Sequence, residues 1–356
     1  MPSLFDPITV GALTLPNRIW MAPLTRTRAL EGSRVPAPLA IEYYAQRAGA
    51  GLIMTEATSV DPMGVGYPNT PGIWSDEQTD GWKPIVDAVH KKGGHIFLQL
   101  WHVGRISDPY FLDGKQPVSA SAIAAKGHVS LMRPPKDFEA PRALETSEIP
   151  GVIAAYRKGA ENAKRAGFDG VEIHGANGYL LDQFLQDSVN QRTDAYGGSR
   201  EKRARLMLEV ADACCAVWGA DRVAMHLAPR GDAHTMGDSD LAATFTYVAK
   251  ELGKRRLAFL CAREHAAADS LGPRLKDAFG GVYVANEGFT KESGQKALDA
   301  GWADAVAFGK LYIANPDLEK RFRDNAPLNA WDMKTFYSAG PHGYTDYPAM
   351  ESVAAE

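Results

Sequence analysis

Cysteine is nearly missing from this chain of 356 residues: there are three, Cys214, Cys215 and Cys261. The first two are adjacent in a helical pattern and the third sits in an apolar run. No C-x-x-C spacing occurs, so a disulfide framework, a zinc motif and a dithiol pair are all set aside in favour of buried thiols in a reducing compartment. An excess of positive charge is missing too. Lys and Arg number 39 against 43 Asp and Glu, a net charge of −4, which sets a nucleic-acid partner aside. No run approaches the roughly 18 apolar residues of a membrane helix. The start, Met1-Pro2-Ser3-Leu4-Phe5-Asp6-Pro7, has neither a basic nor an apolar leader region. Internal repeats and low-complexity tracts are absent. These absences lead to the expectation of a cytoplasmic protein, monomer or small homo-oligomer, that acts on small molecules. With 45% hydrophobic residues, the chain has material for a large core.

What the chain does have is rhythm. Short β-branched or aromatic runs occur at residues 18–23, 51–57, 95–101, 170–174, 222–227, 257–260, 281–285 and 304–309. Helical patterns lie between them, clearest over 76–92, 148–166, 200–218, 240–252 and 291–300, several stopping at glycine as in Lys92-Gly93-Gly94. Strands separated by helices need parallel crossovers, and eight such units close into a (β/α)8 barrel. Length alone would allow two domains, but barrels of this size are single, so residues 1–356 read as one domain. An open doubly wound sheet is the weaker alternative, because no Gly-rich phosphate turn follows the first strand. Two long stretches follow strands three and five, 104–141 and 229–240, where lids or pocket walls belong.

In a barrel, chemistry sits at the C-terminal strand ends. Here those ends carry Thr25, Glu56-Ala57, Gln99 with Trp101, His174 with Asn177, His226, and Gly309-Lys310. Any one of these can be a satisfied structural group; six converging on one mouth read as a site. After strands seven and eight, Asn286-Glu287-Gly288 and Gly309-Lys310 offer backbone amides and a cation for a phosphate, with a solvated surface lysine the weaker reading of Lys310. The nine histidines show no metal-ligand spacing, and no G-x-S-x-G nucleophile motif is present. Neutral hydrogen bonders, an aromatic wall and a phosphate anchor without a metal motif point to an organic phosphorylated cofactor, with flavin mononucleotide (FMN) the natural candidate. Two other readings fit the strand ends: a Schiff-base aldolase using Lys310, and a catalytically idle flavin-binding scaffold.

At this point the motifs resemble a known family. Met21-Ala22-Pro23-Leu24-Thr25-Arg26, Gln99-Leu100-Trp101-His102-Val103-Gly104-Arg105, Val171-Glu172-Ile173-His174-Gly175-Ala176-Asn177-Gly178-Tyr179-Leu180, Ile313-Ala314-Asn315-Pro316-Asp317-Leu318 and Gly343-Tyr344-Thr345-Asp346-Tyr347-Pro348 are similar to the Old Yellow Enzyme family. The resemblance is strongest to its bacterial ene-reductase branch, which includes N-ethylmaleimide, morphinone and glycerol trinitrate reductases, and it runs nearly end to end.

The resemblance implies a flavin barrel in which NADPH or NADH reduces FMN and an activated alkene is then reduced. It implies flavin contacts at Pro23, Leu24, Thr25, Ala57, Gln99 and His226, and FMN phosphate contacts at Gly288, Gly309 and Lys310. It further implies that His174 and Asn177 hold the substrate's carbonyl or nitro oxygen, that Tyr179 donates a proton, and that Tyr67, Trp101 and Tyr344 wall the pocket. No metal is implied. The sequence departs from the family at His226, where an arginine is common, at Lys310, where an arginine is frequent, and at Asp108, where a histidine often stands. The stretch Arg230 to Met236 is also unlike the common members, and Arg230 is a candidate to supply the charge that His226 replaces.

Overall fold

Strict polar–apolar alternation is missing from the eight runs because a parallel barrel buries both strand faces, one against the interior and one against helices. The computed structural model describes residues 1–231 and 233–350. It shows strands β1 (Ile19–Met21), β2 (Ile53–Met54), β3 (Ile96–Trp101), β4 (Gly170–His174), β5 (Val223–Leu227), β6 (Phe259–Arg263), β7 (Tyr283–Asn286) and β8 (Ala305–Phe308). Every neighbouring pair is parallel, β8 returns to β1 through Phe308↔Met21, and β2 meets β3 through Ile53↔Ile96, closing the cylinder. The expected (β/α)8 barrel is therefore present. A short segment, Thr58–Ser59, extends the pairing on β3 after β2 has ended.

Helices cover the outside: α1 (Leu39–Gln46), α2 (Asp76–Lys91), α3 (Ile149–Arg165), α4 (Leu180–Leu185), α5 (Arg200–Trp218), α6 (Leu241–Lys254), α7 (Gly272–Phe279), α8 (Lys291–Asp299), α9 (Lys310–Ala314) and α10 (Leu318–Asp324). Local chemistry sets several ends. Ser75 and Gln78 form a reciprocal capping box at the start of α2, with Asp76 and Glu77 in its first turn and His90 and Lys91 in its last, as the helix dipole favours. Gly280 ends α7 in the left-handed conformation. The helical patterns in the sequence match α2, α3, α5, α6 and α8 to within two residues at each end. None of the helices is long and apolar enough to cross a membrane.

One apolar layer fills the cylinder and another lies between strands and helices. Trp20, Phe97 and Phe259 fill the interior, with Trp20 edge-on to Phe259 at 5.1 Å between centroids. An N-terminal hairpin, Ile8–Val10 with Leu13–Leu15, adds Ile8, Val10 and Leu15 to that inner cluster and closes the barrel floor. The opposite rim carries the two long loops, and both are built. In the first, Asp108 caps the Pro109–Phe111 turn and pairs with Lys136 at 2.6 Å, while Val118–Ser119 pairs with Arg142–Ala143. Arg105 ties this loop to the one after β5, donating to Ile123 O at 2.9 Å and His234 O at 2.8 Å. Burial pulls its pKa down to about 10.

Candidate active site

The site is built where β4 ends. After His174 the chain turns through Gly175-Ala176-Asn177-Gly178 into α4, with Asn177 at φ 58° and Gly178 at φ 76°. Asparagine and glycine tolerate that left-handed backbone best, and a Cβ on Gly178 would lie 2.7 Å from Met236 Cγ. Asp182 holds the turn from below. Its Oδ2 accepts the Gly178 N–H at 2.9 Å and its Oδ1 accepts from Gln186 Nε2 at 2.7 Å, while burial pushes the carboxyl up to about 7.

The turn aims a set of rings at the mouth. The Ala176 N–H donates to His174 Nδ1 at 3.3 Å; because that nitrogen accepts, the neutral ring carries its proton on Nε2 and presents a donor. Burial keeps the imidazole well below its usual pKa, and His226, Arg263 and His234 press the same way. Tyr179 stands edge-on to His174 and to Trp101, each 5.0 Å between centroids. Its hydroxyl is 2.8 Å from that of Tyr67, which sits 5.4 Å from Trp101. Burial, reinforced by Tyr67, raises the Tyr179 phenol well above its ordinary pKa, so it is a protonated acid throughout the neutral range. Ala57 packs in this cluster with Trp101.

Beside the rings lies a buried polar edge. Gln99 Nε2 donates to Glu172 Oε2 at 2.8 Å, and Glu172 Oε1 approaches His226 Nδ1 at 3.4 Å. Both His226 nitrogens, Glu172 Oε1 and Trp101 Nε1 are buried without a hydrogen-bond partner. Buried orphans cost about 1–3 kcal/mol each, and a heteroaromatic ring with carbonyls and ring nitrogens satisfies such a set. Beyond them, Pro23, Leu24 and Thr25 run extended and half-buried from β1. The registers Phe308↔Met21 and Asn286↔Ala307 set Gly309 beside that segment and Gly288 on the far side of Gly309. A Cβ on Gly309 would be 3.3 Å from Leu24 Cδ1, and Lys310 is exposed, with no ion pair among the described residues. A flat ring against residues 23–25 with a phosphate at Gly288, Gly309 and Lys310 fits these residues.

Residues 3–329 match the model of the NADH:flavin oxidoreductase / NADH oxidase family. The chain belongs to this family. It is 45% identical to 12-oxophytodienoate reductase 1 of Oryza sativa subsp. japonica, over 99% of this chain and 94% of that one. It is 44% identical to 12-oxophytodienoate reductase 2 of Arabidopsis thaliana, over 99% and 96%. Among solved structures, the old yellow enzyme homologue from Zymomonas mobilis superposes with a TM-score of 0.95 at 46% identity, covering 98% of this chain and 99% of that one. Morphinone reductase in complex with tetrahydroNAD superposes with a TM-score of 0.95 at 47% identity, covering 98% of each. The protein is thus an Old Yellow Enzyme family member: an NAD(P)H-dependent flavin oxidoreductase that acts on alkenes and uses FMN.

Within this flavoprotein the structure brings together His174, Asn177, Tyr179, Tyr67 and Trp101, and sets the flavin and phosphate candidates on the same rim. Tyr344 is the correction. It is fully buried, stacked on Tyr43 at 3.9 Å and 6°, with the Arg26 and Arg28 guanidinium groups over its ring at 5.0 and 4.5 Å. The cause is a clamp. Arg26 donates to Phe336 O and Gly343 O, and Arg28 to Thr335 O, Phe336 O, Gly340 O and His342 O, drawing the segment under the loop after β1. Tyr337, seven residues earlier in the same segment, is half exposed, and its phenol lies near enough to press the Tyr67 and Tyr179 phenols upward. Arg230 does not supply a charge at His226, being held by Glu264 at 2.5 Å and Asp269 at 2.6 Å.

Other residues carry no signal in the sequence. His234 lies 5.3 Å from Tyr179 between centroids and its Nδ1 is 2.7 Å from Asn177 O. Arg263, at the end of β6, donates to Asn177 Oδ1 at 2.9 Å. Glu172, His226 and Cys261 bring a carboxylate, an imidazole and a thiol within 4.8 Å of one another, a donor set with zinc-like chemistry. Spacing motifs do not show it, because each residue comes from a different strand.

Proposed function

We propose that this ene-reductase takes α,β-unsaturated carbonyls, imides and nitroalkenes, adding hydride at Cβ while Tyr179 protonates Cα. Bound FMN, reduced by NADPH or NADH, supplies the hydride. The observation that carries the reading is the donor set at the β4 turn. His174 Nε2–H and the Asn177 amide stand as neutral donors beside Tyr179. As hydride reaches Cβ, negative charge develops on the carbonyl or nitro oxygen, and donors already in place stabilise it without reorganising. With Nδ1 accepting the Ala176 N–H, Nε2–H is the donor the neutral histidine offers.

Tyr179 then completes the addition. Its phenol gives a proton to Cα, and Tyr67, 2.8 Å away, shares the resulting charge by hydrogen bonding. Tyr67 and Trp101 wall the alkene in and keep water from the site. Pro23, Leu24, Thr25, Ala57, Gln99 and His226 would hold the flavin ring, and Gly288, Gly309 and Lys310 its phosphate. All 356 residues serve as one FMN-binding domain in this reading.

The purified protein should be yellow and release FMN on denaturation; colourless protein overturns the proposal. In stopped flow, Tyr179→Phe should slow flavin reoxidation by cyclohexenone and leave reduction by nicotinamide unchanged. Equal slowing of both half-reactions removes Tyr179 from the role of proton donor.

A further inference from the structure

Asn177 can serve the reaction only if its amide faces the right way, because one end of a carboxamide donates and the other accepts. We infer that Arg263 is the positioning residue that sets this direction, an inference that rests on the functional reading above. A guanidinium has donors and no acceptor, so the Asn177 atom 2.9 Å from Arg263 Nη1 is the amide oxygen. The NH2 is left on the other side as the free donor. His174 is set in the same manner, since the Ala176 N–H occupies Nδ1 and leaves the proton on Nε2. Each donor of the pair is thus fixed by a contact made to its opposite atom.

The guanidinium is itself held. Arg263 Nη2 pairs with Glu287 Oε1 at 2.7 Å. Glu287 sits at φ 89°, next to Gly288 at φ 77°, a conformation a glutamate adopts only when its surroundings impose it. The Arg263 side chain is 38% exposed, but its root is fixed: Arg263 is the last residue of β6, in register with Asn286 of β7. Glu287, Arg263 and Asn177 therefore form one line of charge-assisted hydrogen bonds running from the end of β7 through the end of β6 to the turn after β4. It links the loop that carries Gly288 to the group that receives the substrate's oxygen. A flipped amide would present its oxygen to the developing oxyanion and repel it.

A double-mutant cycle on the holoenzyme tests this, with Arg263→Met and Asn177→Ala singly and together. The readouts are the Kd for cyclohexanone, a neutral ketone that is not reduced, followed by flavin absorbance, and the rate of reoxidation by cyclohexenone. Arg263→Met should weaken the ketone and slow reoxidation by about 10-fold, short of the ~10²–10³ of losing an oxyanion donor outright. Arg263→Lys, which still donates, should recover most of that loss, and FMN affinity should hold throughout. In the Asn177→Ala background Arg263→Met should add nothing, since no amide remains to orient. The same fold-change in both backgrounds, or no effect of Arg263→Met in the parent, overturns the inference while leaving the ene-reductase reading intact. A parent protein that binds FMN but does not reduce cyclohexenone overturns the reading and the inference with it.

Discussion

Asp182→Asn should make the protein more stable at pH 8 and leave it nearly unchanged near pH 4. The wild-type carboxyl is about 1% exposed and is pushed up to about 7 from its ordinary 3.8, chiefly by burial. Between those two values the folded protein keeps a proton that the unfolded chain has lost, so stability falls as pH rises from about 4 to about 7. At roughly 1.4 kcal/mol per unit, a shift of about three units removes on the order of 4 kcal/mol above pH 7. An amide has no ionisation to suppress. Its oxygen can keep the Gly178 N–H, and its NH2 can donate to Gln186 Oε1, which is buried without a partner, once the Gln186 amide turns over. Imperfect geometry will take back part of the gain, leaving about 2–3 kcal/mol at pH 8. Urea unfolding of parent and variant at several pH values between 4 and 8 isolates this residue, because Glu56, a buried carboxyl also raised to about 7, and the remaining carboxyls are common to both. Identical pH slopes in the two proteins would refute the argument. Since the Gly178 contact survives, turnover should be unchanged.

Lys310→Met should raise the Kd for FMN by about 10- to 100-fold, the range for losing one charge-assisted hydrogen bond, and more so at low ionic strength. Fluorescence titration of the apoprotein reads it, and an unaltered Kd would move the phosphate elsewhere on the rim. Arg28→Met should cost about 1–3 kcal/mol in urea unfolding, because it removes the guanidinium donor from Thr335 O, Phe336 O, Gly340 O and His342 O, of which Phe336 O keeps Arg26. It should also raise KM for cyclohexenone by releasing Tyr337, and a change in stability with KM held constant would disconnect that tyrosine from the pocket.

The barrel was legible because its strands are dense apolar runs separated by amphipathic helices, and because the strand-end rule turns a fold into a short list of polar residues. The hairpin Ile8–Leu15 was not legible, since three-residue strands carry too little pattern. Helix α1 escaped for a similar reason: Tyr43 and Tyr44 are both buried, which hides the periodicity. Tyr344 and Tyr337 lie seven residues apart in one irregular segment, and only the arginine clamp decides that Tyr344 is the one buried. Arg263 looks in sequence like a stray charge after an apolar strand; its meaning exists only where β4, β6 and β7 meet.

The hairpin that seals the barrel floor has a kinetic consequence. With Ile8, Val10 and Leu15 filling the cylinder from below, a small molecule reaches the polar strand ends from the opposite rim. In the reaction proposed above, the nicotinamide and the alkene would both enter by that rim and compete for the His174 and Asn177 donors. Turnover would then alternate between the two reactants, and initial rates at varied concentrations of both should show each one inhibiting when in excess.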